Sequence, residues 1–352
     1  MQAGPGVSGI PAWEPAGFAA RRPHLVARAR IMRSFRDWFD GAGFTEVDTP
    51  ALQVSPGMEP HLKAFSTLLE TPEGERQIRH LHTSPEFAMK KLLVAGMERI
   101  YQLAHVFRNG ERSRTHSPEF TMLEWYRAGS GTEALIDDAT ALLRLACATS
   151  GAAQLRFGDR RCDPFARPEI LTVADAFQQY CAIDLLATAP DPTDPDLALL
   201  AEAAAPLGIA PHAGDRWEDL FFRIMFERIE PVLGEGRPTF LTDYPISMAA
   251  LAQPRPDDSR VAERFELYAC GVELANGFGE LTDAGIQRAR FEADMDLRER
   301  LYGDRLPIDE DFLAALALGL PPSSGIALGF DRLVMLATGA QDIASVLWLP
   351  VG

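Results

Sequence analysis

The sequence predicts an α+β fold organised around an antiparallel sheet. Two observations carry that expectation: strand-like segments gather towards both ends of the chain, and the stretch between them, around 131–236, is mostly helical. A third excludes the main alternative, because no repeated strand–helix alternation of the kind that builds a parallel sheet runs through the 352 residues.

Each element has its own signal. From His24 to Gly43 the apolar residues Ile31, Met32, Phe35, Trp38 and Phe39 fall at helical spacing, and Gly41 and Gly43 supply the stop. FTEVDTPAL reads as a strand edged by Pro50. In TSPEFAMKKLLVAG, Ser84 is expected to cap a helix with Pro85 at its first position, and Gly96 ends it. RIYQLAHVF and EFTMLEWYR are strand-like on either side of a charged loop. The helical runs that follow (EALIDDATALLRLACA, VADAFQQYCA, DLALLAEAAA and WEDLFFRIMFERIEPVL) are separated by Pro/Asp-rich connections such as APDPTDPD. Strands return with PTFLTDYP, RFELYACGVELANGF and GIALGF, and DRLVMLATG closes the chain as a helix.

Composition limits what such a fold does. Lys plus Arg is 34 against 50 for Asp plus Glu, a formal net charge of −16, which works against generic adhesion to nucleic acid or anionic membranes. The four cysteines (Cys147, Cys162, Cys181 and Cys270) show neither a CxxC pair nor metal-like spacing, as expected of reduced thiols in a cytoplasmic protein. No apolar run is long enough to span a membrane. Residues 1–20, MQAGPGVSGIPAWEPAGFAA, lack a basic start and a continuous apolar core, so they read as a flexible lead and not a secretory signal. Folding is expected to begin near Arg21.

Three stretches carry chemistry. In FRNGERSRTHSPEFTMLEWYR three arginines and a histidine fall on one connection, and period two then puts Phe120, Met122, Glu124 and Tyr126 on one face of the returning strand. A buried Glu124 needs a cation, and guanidinium forks suit phosphate oxygens. A ligand with phosphates at one end and an amine at the other fits both; a solvated loop with a structural ion pair fits the same residues. RFELYACGVELANGFGEL spaces Glu266, Glu273 and Glu280 seven apart, so the first two can face each other across a hairpin as a carboxylate pair suited to Mg2+, or simply line a solvated sheet face. In GIALGFDRLVML, Asp331 is expected to cap a helix with Arg332 in its first turn, where a cation is mildly unfavourable unless something anionic sits nearby.

Together these blocks resemble the catalytic domain of class II aminoacyl-tRNA synthetases of the lysyl type. FTEVDTP is similar to the first motif of that family, FRNGERSRTHSPEFTMLEWY to the second and GIALGFDRLVML to the third, while TSPEFAMKKLLVAG and FELYACGVELANGFGELTD resemble its lysyl-specific blocks. The resemblance runs over 21–352 and implies one catalytic domain with a mostly helical insertion around 131–236. The anticodon-binding OB domain of the lysyl enzymes is not expected here. The chain accordingly looks closer to the stand-alone paralogues, the elongation factor P lysine ligases, and TMLEWYR, VAERFE and SSGIALG agree with them.

That resemblance implies roles. Arg108 would bind and polarise the α-phosphate of ATP, Phe120 would stack on adenine, and His116 and Arg332 would attend the triphosphate, with Asn109, Ser117, Leu274 and Gly329 completing the nucleotide site. Glu266 and Glu273 would hold Mg2+. Ser84, Pro85 and Glu86 would receive the backbone-side amine of lysine or β-lysine, and Glu124, Tyr126, Asn276 and Glu280 its distal ammonium, with Ala327 near its carboxylate. Elongation factor P would be the acceptor, no transfer RNA would take part, and a homodimer would place Pro50 at its interface. The family's second motif has glutamate where this chain has Gly110 and asparagine where it has Ser117, so the partner of the adenine amine is not specified. Two other functions fit less well: a minimal synthetase charging transfer RNA, which needs a basic face, and a non-catalytic amino-acid sensor, which has no need of Arg108, Glu273 and Arg332 together.

Overall fold

The computed structural model describes residues 11–351. The first helix, α1 (Pro15–Gly41), starts with a proline at its first positions, where a fixed φ favours the helix and the missing N–H costs nothing. Residues 1–10 of the expected lead lie outside the described residues, and residues 15–20 form the opening turns of α1. One reason for their order is Arg21, whose guanidinium donates to the carbonyls of Leu347 and Trp348 and ties the start of the helix to the end of the chain. Ile31, Phe35 and Phe39 recur every four residues and are wholly buried.

The remaining elements follow in chain order. They are β1 (Thr45–Glu46), β2 (Leu52–Gln53), β3 (Phe65–Glu70), β4 (Arg76–Leu81), α2 (Glu86–Val94), β5 (Arg99–Phe107), β6 (Glu119–Ala128) and α3 (Thr132–Ser150). Next come β7 (Leu155–Phe157), β8 (Arg160–Cys162), β9 (Glu169–Thr172), α4 (Val173–Cys181), α5 (Leu197–Ala204), α6 (Trp217–Ile224), β10 (Thr239–Pro245), β11 (Val261–Ala269) and β12 (Val272–Gly279). The chain closes with α7 (Ala284–Tyr302), α8 (Glu310–Gly319), β13 (Ser323–Gly329) and α9 (Phe330–Thr338).

Eight strands make one sheet in the order β1-β5-β6-β13-β12-β11-β10-β9. The six central strands pair antiparallel, as the sequence predicts, whereas both edge pairs, β1 with β5 and β9 with β10, are parallel. FTEVDTPAL supplies two residues of edge strand and then an irregular path to β2, consistent with a proline that cannot donate to a ladder.

The two faces of the sheet do different work. Leu123, Trp125, Phe265, Leu267, Ile326 and Leu328 point into the main core against α1, α3 and α9. Each such side chain contributes ~1.5–3 kcal/mol by leaving water, and deleting Phe35 to Ala would cost about 3–5 kcal/mol. α3 belongs to this core, while α4, α5 and α6 bury Phe177, Trp217, Phe221 and Ile224 in a second core of their own. The opposite face carries Glu124, Tyr126, Asn276 and Ala327, closed at one end by Phe87, Phe291 and Phe312 of α2, α7 and α8.

One irregularity sets which side chains reach that face. Between β11 and β12 the register passes from Leu267–Ala275 to Tyr268–Glu273, so Leu274 is the extra residue of a bulge. Strict alternation would put Glu273 and Asn276, three apart, on opposite faces; the bulge restores both to one.

Candidate active site

The charged loop joins β5 to β6 and is pinned by main-chain bonds, Arg108 N to Pro118 O at 2.9 Å and Asn109 N to Lys63 O at 2.7 Å. Gly110 sits at φ +85°, so the residue that departs from the family's glutamate occupies a backbone conformation that glycine tolerates best. The loop's three arginines separate. Arg108 lies over the ring of Phe120, 5.3 Å from its centroid, and lines a cleft of about 270 Å³. Arg114 donates to Gln341 O and lies over Phe157, and Arg112 donates to Val351 O, so these two brace the C-terminal segment.

Arg332 enters the same cleft from the first turn of α9. It donates to Glu273 O at 2.8 Å, to Thr115 O at 3.2 Å and to His116 Nε2 at 2.6 Å. Burial, then the charges of Arg332 and Arg108, push His116 down to about 4, so it is neutral and free to accept that bond. Asp331 was expected to cap the helix, but the N-cap is Gly329. Asp331 is instead buried, accepting from Thr121 N at 2.7 Å and pairing with Arg28 of α1. A carboxylate in the core finds a stronger partner in a guanidinium than in helix amides. His116, Ser117, Phe120, Glu273, Leu274, Asn276, Ala327 and Gly329 all line the cleft, whereas the Asn109 side chain is exposed on the loop outside it.

The other end is acidic and closed. α2 begins at Glu86, one residue later than expected, and Ser84 Oγ accepts from Glu86 N at 3.0 Å and donates to Glu124 Oε1 at 2.6 Å. Ser84, Pro85 and Glu86 line a narrow recess beside the cleft. Glu124 and Tyr126 are buried together, with the phenol donating to Glu124 Oε2 at 3.3 Å. Desolvation, then repulsion from Glu86, pushes Glu124 up to about 8. Glu280 was expected to wait for a ligand's ammonium; it already has a cation. Lys90, 1% exposed, lies 2.5 Å from both Glu280 Oε2 and Glu86 Oε1. Burial alone would pull its ammonium down, but the two carboxylates outweigh that and hold it above its ordinary value. Two carboxylates thus flank Lys90 with Glu124 nearby and unpaired by a cation, and Gly325 lets Tyr126 and Glu280 approach, since a Cβ there would fall 2.2 Å from the ring and 2.4 Å from the carboxylate.

Glu266 and Glu273 do not stand directly opposite each other: Glu266 pairs with Asn276 and Glu273 with Tyr268, offset by the bulge. They are still close enough that Glu266 helps burial raise the Glu273 carboxyl, and Glu230, from the segment after α6, is pushed up to about 7 by burial and by both. Glu266 accepts from Arg264 and Tyr268 at 2.7 Å each, which leaves each oxygen with lone-pair capacity. Among the described residues no group of three or more metal-ligating side chains converges. One or two carboxylates facing a phosphate site nevertheless fit Mg2+, which takes the rest of its shell from water and phosphate.

Four contributors escaped the sequence pattern. Lys90 reads as an ordinary helix-face lysine in FAMKKLL; only its position between Glu86 and Glu280, far apart in sequence, gives it a role. Glu59 lines the cleft from an irregular loop with no motif around it, Arg28 lies in a helix read for its apolar stripe, and Glu230 comes from the helical insertion.

Residues 19–351 match the family model of tRNA synthetases class II (D, K and N). The chain is 42% identical over 340 residues to a protein named elongation factor P–(R)-β-lysine ligase in Klebsiella pneumoniae subsp. pneumoniae, covering 95% of this chain and 96% of that one. Proteins of the same name in Enterobacter sp. (strain 638) and Salmonella typhimurium are similar to the same extent, 42% over 340 residues.

Proposed function

The chain belongs to the class II tRNA synthetase family of the D, K and N type, and from that premise we propose that it is an ATP-dependent ligase that activates a lysine-like amino acid and transfers it to a lysine of elongation factor P. The observation that carries this is the presence, within one site, of two guanidiniums lining the cleft, Arg108 and Arg332, and of three buried or nearly buried carboxylates at its other end, two of them on Lys90 and the third, Glu124, without a cation. ATP and a diammonium amino acid match those two ends. The amino acid is (R)-β-lysine, the acyl group in the relatives' name.

Activation needs no nucleophilic side chain. Arg108 polarises the α-phosphate as the amino-acid carboxylate attacks it, Arg332 holds the departing pyrophosphate end, and Phe120 with Leu274 and Gly329 seats the base. Glu273 and Glu266 are the residues that would hold magnesium, which when bound offsets charge on the phosphoryl oxygens. Glu86 receives the amine nearer the carboxylate, and Glu124, Tyr126, Asn276 and Glu280 surround the distal ammonium; Glu124, which has no cation of its own, contributes most. Acyl-adenylate then meets an incoming amine.

The protein is proposed to act in the cytoplasm as a homodimer. No helix of the described residues is long and apolar enough to cross a membrane, and Pro50, Leu52 and Val54 are exposed beside the small sheet β2-β4-β3. Two assays test the function. RNA-free enzyme should exchange pyrophosphate into ATP when β-lysine or lysine is present, and mass spectrometry should find elongation factor P heavier by one aminoacyl group. Exchange that appears only with transfer RNA, or an unmodified factor beside an acylated RNA, sinks this assignment in favour of a minimal synthetase.

A further inference from the structure

A second cavity, of about 290 Å³, adjoins the cleft, and Glu59 and Asn276 line both. It runs between α6, with its N-cap Arg216 and its Phe222, and the face of α7 that carries Phe291 and Asp294. ATP and the amino acid leave it without a task, since their groups lie along the first cleft.

Its lining is built for a ligand. Gln287 is 1% exposed, yet its Nε2 has no hydrogen-bond partner, and Ser247 Oγ and Asn276 Oδ1 are likewise buried and unpaired. Leaving such groups unpaired costs ~1–3 kcal/mol each, which a polar guest offsets. Asp294 makes no hydrogen bond or ion pair with the described residues; burial first, then the Glu59 carboxylate, pushes it up to about 7 against the opposing charges of Arg290, which is bonded to the carbonyls of Ala250 and Ala252, and Arg216. Glu59, exposed where the cavity meets the cleft, is raised by loss of water, with Arg108 opposing and Glu86 adding to it. Between these carboxylates the walls are apolar, with Met58, Met248, Phe278 and Phe291. Of the two arginines, Arg264 is occupied by Glu266 at 2.7 Å and Arg216 sits 3.5 Å from Glu218.

We propose that this cavity is the entry channel of the acceptor amine: a protein lysine threads it, its methylenes against the apolar walls and its ammonium passing from Asp294 to Glu59 at the junction with the cleft. The inference rests on the ligase function above and names the residues of its second half-reaction. Carboxylates at both ends favour a cation on an aliphatic stem and disfavour the phosphates of an RNA end. Glu59 takes one proton from the ammonium; the free amine attacks the acyl carbonyl, a C–N bond forms as the bond to the phosphate oxygen breaks, and AMP leaves with that electron pair. The second nitrogen proton passes to solvent as the amide forms.

The test separates the half-reactions in the full-length enzyme. Asp294→Asn and Asp294→Lys should leave β-lysine-dependent pyrophosphate exchange within about twofold of wild type, and should leave unchanged the capture of the adenylate by hydroxylamine, which is too small to need the channel. For elongation factor P as acceptor, KM should rise at least about tenfold in Asp294→Asn with a smaller change in kcat, and acylation should fall to about 1% in Asp294→Lys, the loss expected when a like charge faces a buried cation. Glu59→Gln should slow single-turnover transfer from preformed adenylate. Undiminished acylation by Asp294→Lys overturns the channel, and so does parallel loss of exchange, hydroxamate formation and acylation in Asp294→Asn, which marks a structural residue. Wild-type enzyme that fails the exchange itself removes the underlying ligase function instead.

Discussion

At the end of the cleft proposed to take phosphates, Arg332 is held by two backbone carbonyls and a neutral histidine, with its nearest carboxylate, Glu273, 3.6 Å away. At the end proposed for the ammonium, Glu86 and Glu280 flank Lys90, Glu124 bonds Ser84 instead, and all three carboxylates are almost closed off from water. Dipoles orient the cation at the first end without cancelling it, so its charge stays available to an anion. At the second, a resident cation cancels part of a larger negative charge and leaves a remainder that only a ligand can meet. One end is oriented for binding while the other is kept incomplete, and incompleteness at a buried site is costly unless some charge is internal.

The largest effect is expected at Lys90. Replacing it with Met keeps the volume but strips Glu86 and Glu280 of their cation, and should destabilise the fold by about 3–5 kcal/mol in urea unfolding at neutral pH. A loss below about 1 kcal/mol shows that the two carboxylates protonate without penalty and that the acidic end is not charged as argued. At the opposite end, Arg332→Ala should leave stability nearly unchanged while pyrophosphate exchange falls ~100-fold or more, the usual cost of removing one preorganised donor to developing charge. Comparable loss in stability assigns Arg332 to packing.

Titration sharpens the contrast. Glu124 is raised to about 8 by burial and by Glu86, with Ser84, Tyr126 and Arg108 opposing, so in the free protein it is mostly protonated below pH 8. A bound ammonium favours the carboxylate form and lowers that value, so binding releases a proton and tightens as pH rises. Calorimetry with lysine, whose distal ammonium stays charged throughout, should show affinity rising about tenfold from pH 6.5 to 8.5 and then levelling, and the dependence should flatten in Glu124→Gln. Affinity that falls over that window would put the distal ammonium elsewhere.

The smallest expected effect concerns Ala327. It lines the cleft between Glu124 and Asn276 in the sheet register, and one methyl there discriminates by ~1–3 kcal/mol. Ala327→Gly should therefore narrow the preference for β-lysine over α-lysine, read as the ratio of exchange rates. An unchanged ratio with lowered stability returns Ala327 to simple packing.

Much of this was legible in the sequence because its signals are local. Period two assigned Phe120, Met122, Glu124 and Tyr126 to one face of β6, and the apolar spacing of Ile31, Phe35 and Phe39 gave the buried stripe of α1. Signals that depend on partners remote in the chain were not legible. Nothing around Lys90 says that Glu280 will meet it, and nothing around Asp331 says that Arg28 will draw it from a capping role into the core. The bulge at Leu274 is an intermediate case: its consequence, Glu273 and Asn276 on one face, contradicts the alternation that reads the rest of the hairpin correctly.

The Arg28–Asp331–Thr121 junction joins residues as far as 303 positions apart, and Arg332, next to it, supplies a guanidinium proposed to meet phosphate. During synthesis the ribosome therefore releases nearly every other part of the site before the residues that complete it. Arg28 has no Asp331 to bury against until the last helix emerges, and neither Arg108 nor His116 has Arg332 beside it. Arg332 and the buried partner of Arg28 therefore arrive together with α9, the same helix that covers the main core, after every strand of the sheet has been made.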